Sequence, residues 1–261
     1  MSEIRARRAG FWRDLGSIAG RSIRAIPRDP ESVIPALLIP VFWMLVSVGA
    51  LEAAAEGFYP GLDFRAFQVP VAVIFAVTGI SRAHDLVLDI RSGYFDRLSI
   101  TPVSRPSLLL GMMMADLLLV IGLTIPVIGL GWLIGVRFVT GFPGLVLFVA
   151  VAGVWGLAFT AFLYAIALKT ANPAAVTAGV LVFFPFAFLT TAFLPKEALS
   201  GWMATAADYN PMTYLLAAMR SLVLDGWEWA TLLGGISAVA ALGSISIALA
   251  LAALRGRLKA N

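Results

Sequence analysis

Few residues in this chain could do chemistry, and those few sit in odd places. Its 261 residues include one histidine, His84, no cysteine and 15 acidic side chains. Without cysteine there is no thiol nucleophile, thiolate metal site or disulfide framework, and a lone histidine cannot build a histidine-rich metal centre. No G-x-x-x-x-G-K-[ST] loop is present to cradle nucleotide phosphates, and neither G-x-S-x-G nor H-E-x-x-H occurs. No catalytic residue and no metal ligand is therefore assigned. The run Gly129–Gly135 lacks dinucleotide-fingerprint spacing, and its Gly131-x-x-x-Gly135 pair suits the close approach of two helices, in a dimer or otherwise.

The remaining candidates are ionisable or hydroxylated side chains in apolar surroundings. An ionisable group in hydrocarbon is costly, so it stands near an end, is paired, or is used. Asp116, about two turns into its segment, reads as a carboxylate paired with a nearby arginine or reaching water. Arg82, His84 and Asp85 read as the end of one segment, Glu52 and Glu56 as the end of another. An ion-driven carrier would want carboxylates near the midplane, and none stands there clearly. Thr78, Ser81, Thr124, Thr160, Tyr164, Thr177, Thr190 and Thr191 supply the other polarity, which suits an apolar or amphipathic cargo better than a sugar or an ion.

The elements that must position these residues are apolar segments. The chain is 60% hydrophobic and 13% charged, with mean hydropathy +0.92. A soluble domain of this length could not hide so much apolar surface. Six runs approach the roughly 20 residues needed to cross hydrocarbon: 33–55, 67–88, 108–136, 142–168, 174–194 and 230–254. Backbone groups in lipid must pair within their own segment, so the expected fold is an all-α integral membrane protein of six transmembrane helices. One domain spans 1–261, with an arm over 1–32, the bundle over 33–254 and a tail over 255–261. A cleaved signal peptide is not expected, because about 30 residues precede the first apolar run.

Fifteen of the 19 Lys and Arg fall on the side holding the arm, the second-to-third connection, Lys169 and the tail. The positive-inside rule puts that side, with both termini, in the cytoplasm. The same distribution explains the pI near 9.8 without nucleic acid. In the arm, residues 11–26 have Phe11, Trp12, Leu15 and Ile18 on one helical side and charges opposite, as in an amphipathic helix lying in the headgroup layer among membrane lipids. Residues 89–106 are polar and broken by Gly93 and Pro102; a short helix over Tyr94–Ser99 would present Phe95 and Leu98 as an apolar docking patch beside Asp96 and Arg97. Residues 195–229 could span, but Asp208, Arg220 and Asp225 make full insertion costly and Asn210-Pro211 breaks the pattern. Two short re-entrant helices on the outer side are expected there, before the last span.

Three stretches, in this order on this topology, resemble the membrane subunit of ABC-2 exporters over nearly the whole chain. Ile26–Val46 resembles the family's R-D-P lead into span one, Ser92–Leu118 its G-x-(F/L)-(D/E)-x-L-x-x-(T/L)-P-(V/I)-x-R stretch, and Tyr209–Gly226 its N-P-x-x-Y-x-x-x-x-x-R stretch. The wording FDRLSITPVSR is similar to the daunorubicin-resistance branch, which exports drugs and lipids. The resemblance implies a permease with no ATPase site, bound to cytoplasmic ABC ATPase subunits that hold ATP and Mg, and paired with a second membrane subunit, identical or paralogous. It also implies that residues 11–26 form an interface helix. Arg91, Tyr94, Phe95, Asp96, Arg97 and Leu98 would couple to the ATPase. Trp202, Tyr209, Asn210, Pro211, Tyr214 and Arg220 would belong to the outer re-entrant gate, and spans one, two and five would line the route. Alternatives are a polysaccharide or teichoic-acid exporter of the same family, an ion-gradient secondary carrier, and an integral membrane enzyme.

Overall fold

The structure is a computed structural model that describes residue 20 and residues 30–78, 81–99 and 105–260. The amphipathic arm, with Phe11, Trp12, Leu15 and Ile18, lies outside the described residues. What is described is helical: α1 (Pro30–Phe58), α2 (Phe64–Thr78), α3 (Ala83–Arg91), α4 (Tyr94–Ser99), α5 (Arg105–Leu133), α6 (Gly141–Thr170), α7 (Pro173–Leu181), α8 (Phe183–Phe188), α9 (Gly201–Tyr209), α10 (Pro211–Arg220) and α11 (Trp229–Ala260). Among the described residues, five stretches are long and apolar enough to cross a membrane: Val33–Phe58, Phe64–Arg91, Leu109–Leu133, Gly141–Thr170 and Trp229–Lys259.

Two of the expected spans are not single helices. In the second, Ser81 and Arg82 stand outside the helices, between α2 and α3. The fifth is a shorter apolar stretch, Pro173–Phe188, split at Val182. Proline explains that split: Pro185 lacks an N–H, and its ring crowds the carbonyl four residues back, at Leu181. At 1.5 Å per residue such a stretch reaches about 24 Å, short of a hydrocarbon core of about 30 Å. Pro35 and Pro40, by contrast, sit within the unbroken α1.

Lipid tails are as apolar as leucine, so close packing and internal hydrogen bonds hold such helices together. The core runs through α2, α5, α6 and α10, with Trp155, Tyr164, Phe148 and Ile74 among its fully buried side chains. Helix α1 turns Ile34, Leu38 and Phe42 outward. Gly131 allows a close approach within the chain rather than between copies: a Cβ there would stand 3.1 Å from Val69 Cγ2 of α2. Gly135 ends that segment with φ +98°, a left-handed conformation that glycine reaches without strain.

Two ends can be told apart. At the basic end, Arg91 Nε donates to the Ala171 carbonyl (2.8 Å) and Arg257 Nη1 to the Leu168 carbonyl (3.4 Å). At the opposite end, Arg65 pairs with Glu52 (2.6 Å) and donates to the Ile134 carbonyl.

Candidate functional site

A cleft of about 520 Å³ opens between α1, the α2–α3 junction and α7–α8. Span one contributes Pro35, Ile39 and Trp43, span two Phe75, Thr78, Ser81 and His84, and the short fifth stretch Phe183, Phe184 and Phe188. Chain direction orders them. Span one runs away from the basic end and span two returns, so Pro35 and His84 lie at the basic side and Trp43, Phe75 and Phe188 deeper. The deep part is a continuous set of rings. Trp43 stacks on Phe75 (centroids 5.9 Å apart), Phe75 meets Phe183 edge-on (5.2 Å), and Phe193 bridges Trp43 and Phe188. Such pairs stabilise by about 0.5–1.5 kcal/mol beyond their area. They also leave flat faces and edges on which an aromatic or apolar molecule can lie.

The polar part of the cleft is small. His84 Nε2 stands 3.1 Å from Thr177 Oγ1, whose own hydroxyl donates to the Pro173 carbonyl. The pair links α3 to α7 in the cleft wall. Ser81 Oγ accepts from the Ala83 amide (3.2 Å).

The break in span two is held from outside. On one side the Trp155 indole N–H donates to Thr78 Oγ1 (2.9 Å), which donates on to the Ile74 carbonyl (2.6 Å). On the other, Asp116 Oδ1 accepts the Arg82 backbone N–H (3.3 Å) while Tyr164 donates its hydroxyl to Asp116 Oδ2 (2.6 Å). Asp116 and Tyr164 are buried. The expected arginine partner of Asp116 is thus corrected: it is the main chain of Arg82 that bonds the carboxyl, and the Arg82 guanidinium pairs with Asp85 (2.6 Å). A helix start leaves amides without intrahelical partners, and the carboxyl group of another helix supplies one here. His84 is likewise not at the end of the span, which continues to Arg91, but in the wall of the cleft.

Beyond α3 the short helix Tyr94–Ser99 occupies its expected position. Phe95 does not form part of an exposed patch; it is 3% exposed and belongs to the bundle core. Six residues cannot sustain a helix alone, so an apolar anchor is needed. Arg91 and Arg97 are exposed, Arg97 bonding the Gly93 carbonyl (3.4 Å), and Tyr94 is half-buried. The Asp96 and Leu98 side chains lie outside the described residues.

At the opposite end, α9 and α10 meet at Asn210. Its Oδ1 accepts the Met212 amide (3.0 Å), capping α10, and its Nδ2 donates to the Phe186 and Leu189 carbonyls (2.8 Å each). Pro211 takes the first helical position, where its missing N–H costs nothing. Tyr214 donates to the Asp208 carbonyl, and Asp208 holds the exposed Lys196 ammonium above its usual range. Trp202 and Tyr209 project outward. Arg220 is buried: it donates to the Phe67 carbonyl (3.2 Å) and Thr191 (3.0 Å), and its guanidinium lies 3.4 Å over the Phe67 ring. It fastens α10 to α2 and to the end of the fifth stretch.

The structure thus keeps the expected coupling and gate residues at opposite ends and sets a third group between them. Sequence reasoning missed Trp43, Phe75, Phe183, Phe184, Phe188 and Trp155. The run FFPF at Phe183–Phe186 was the available signal, but Phe75 and Trp43, which share the cleft with it, lie more than 100 residues earlier.

Over 212 residues the chain is 29% identical to the daunorubicin resistance ABC transporter permease protein DrrB1 of Streptomyces coeruleorubidus, covering 78% of this chain and 72% of that protein. Over 200 residues it is 28% identical to the probable doxorubicin resistance ABC transporter permease protein DrrC of Mycobacterium tuberculosis, covering 76% and 72% respectively. The family of ABC-2 type transporters matches residues 13–224. This multi-pass helical membrane protein, similar in sequence to ABC transporter permease proteins, belongs to the ABC-2 type transporter family.

Proposed function

We propose that this chain is the membrane half of an ATP-driven exporter and that its hydrophobic or amphipathic cargo, a drug or a lipid, leaves the cytoplasm or inner leaflet through the aromatic cleft. The observation that carries this is the cleft itself: about 520 Å³, walled by spans one, two and five, aromatic inside and hydroxylated or imidazole-bearing on the basic side. Binding sites for drug-sized molecules have this size and this ratio of apolar wall to placed polar groups.

In this reading the chain crosses the membrane six times, with the short Pro173–Phe188 stretch as the fifth passage, α9 and α10 as a re-entrant outer gate, and both termini in the cytoplasm of a plasma membrane. Two such subunits, identical or paralogous, pair through faces such as that of Ile34, Leu38 and Phe42. Separate ABC ATPases hold ATP and Mg and press on α4 beside Arg91 and Arg97. Because Phe95 seats α4 in the bundle, the push passes to α3 and then to the non-helical Ser81 and Arg82, which stand beside Thr78 and His84 in the cleft wall. No bond chemistry occurs on this chain.

The test is reconstitution with the cognate ATPase and measurement of daunorubicin-stimulated hydrolysis and vesicular export. Phe183→Ala and Trp43→Ala are expected to raise the concentration for half-stimulation several-fold and leave unstimulated hydrolysis unchanged. Wild-type stimulation and export by both variants would exclude the cleft as the route. Export by the membrane chain alone on an ion gradient would exclude the ATP-driven reading.

A further inference from the structure

A second cavity, of about 720 Å³, lies between α6 and α11 at the basic end. On α6 its wall includes Phe162, Ile166 and Lys169; on α11, Leu249, Ala253 and Arg257. These are spacings of three or four residues on each helix, so each set forms one stripe along its face. Both stripes are apolar for two positions and end in a cation, at the same level, since Arg257 donates to the carbonyl of Leu168, next to Lys169. From Phe162 to Lys169 and from Leu249 to Arg257 the groove runs about 11 Å at 1.5 Å per residue. That depth accepts the upper part of an acyl chain.

Among the described residues, no acidic side chain lines the groove. Arg257 Nε is buried without a hydrogen-bond partner. A buried donor left unmade is costly, and a guanidinium is the side chain best shaped for phosphate. Cations that only reached for the headgroup layer would need no hollow beneath them. Here two charges crown an apolar trough, and Gly256 beside them adds no side chain to fill it.

We propose that this groove is a binding site for one anionic phospholipid of the leaflet at the basic end, with its phosphate between Lys169 and Arg257 and its acyl chains along the Phe162–Ile166 and Leu249–Ala253 stripes. The site is separate from the aromatic cleft and does not depend on what the cleft carries. Its occupant adds to the Arg257–Leu168 hydrogen bond and to the packing of Leu254 where α6 and α11 end.

The experiment uses the full-length chain purified in detergent, with phosphatidylglycerol, phosphatidylcholine of the same acyl chains, and glycerol phosphate as probes, read by native mass spectrometry and thermal unfolding. Phosphatidylglycerol is expected to remain bound and raise the unfolding temperature, whereas the other two do neither. Lys169→Gln and Arg257→Gln should each lower occupancy several-fold, and Ala253→Trp should displace the lipid with both charges intact. Arg255→Gln is the control: it is exposed and about 200° round the helix from Arg257. Equal retention of phosphatidylcholine, or of phosphatidylglycerol by all three groove variants, would overturn the proposal. Stabilisation by glycerol phosphate would make this a free-phosphate site, and a change in the number of chains per particle without loss of lipid would make it a subunit contact; both count against it. Should Arg257→Gln fail to fold, Lys169→Gln and Ala253→Trp carry the test.

Discussion

Replacing Tyr164 by Phe removes one oxygen and tests whether the interruption in span two is held by its neighbours. The hydroxyl donates to Asp116 Oδ2 at 2.6 Å, and both side chains are buried. Hydrogen bonds between membrane helices average about 0.6 kcal/mol and reach about 1.7. Leaving a buried acceptor unmade costs about 1–3 kcal/mol, so Tyr164→Phe is expected to lose about 1–2 kcal/mol. Asp116→Leu should lose more, because it orphans both the Tyr164 hydroxyl and the Arg82 amide. In the double variant the tyrosine oxygen is gone and only the amide is left without its partner. The two losses should therefore fall short of additive by about 1 kcal/mol, well outside the roughly 0.3–0.5 kcal/mol within which independent sites add. For a chain of this size that is a discrepancy of about 2–4 °C in unfolding temperature, measurable in detergent. Hydrogen exchange gives a second readout: the amides from Arg82 to Leu86 should exchange faster in both single variants. Additive losses with unchanged exchange would refute the idea that Asp116 caps α3 from across the bundle.

Other substitutions separate anchoring from contact. Phe95→Ala should lower thermal stability by about 3 kcal/mol, as for other buried phenylalanines, whereas Arg97→Ala should unfold at the wild-type temperature but weaken cargo stimulation of the ATPase. Asn210→Asp keeps the cap on Met212 but turns an oxygen towards the Phe186 and Leu189 carbonyls, so it should cost roughly 2–3 kcal/mol, more than Asn210→Ser, by thermal unfolding. Gly235→Ala would place a Cβ 2.7 Å from the Tyr214 carbonyl oxygen and 2.4 Å from Ala218 Cβ, and the overpacking should cost about 1–3 kcal/mol in the same assay.

The stretches expected as spans one, three, four and six were legible because each is one continuous apolar run. The turn between α9 and α10 was legible because Asn-Pro is a local signal, with its cap written in adjacent residues. The break in span two was not. No proline or charge stands between Val71 and Ser81, and the groups that hold the two half-helices, Asp116, Trp155 and Tyr164, are 34 to 82 residues further along. Phe95 was misread for a related reason: a phenylalanine between charges looks like a docking patch until the bundle is seen to have a place for it. The shortening of the expected fifth span was half-legible, since a proline stands in its sequence at Pro185, but its effect on the carbonyl of Leu181 depends on helical register. The aromatic cleft was not legible at all, because 17 phenylalanines and seven tryptophans in the chain give no hint of which ones meet.

Arg91 closes α3, yet its guanidinium grips the carbonyl of Ala171, the single left-handed residue joining α6 to α7. His84 makes a second rung to Thr177 one turn inside α7. Both flanks of the aromatic chamber are therefore geared to one axle. In the proposed exporter, a shove delivered beneath would carry both jaws together, so that the mouth would widen or narrow as a coordinated pair.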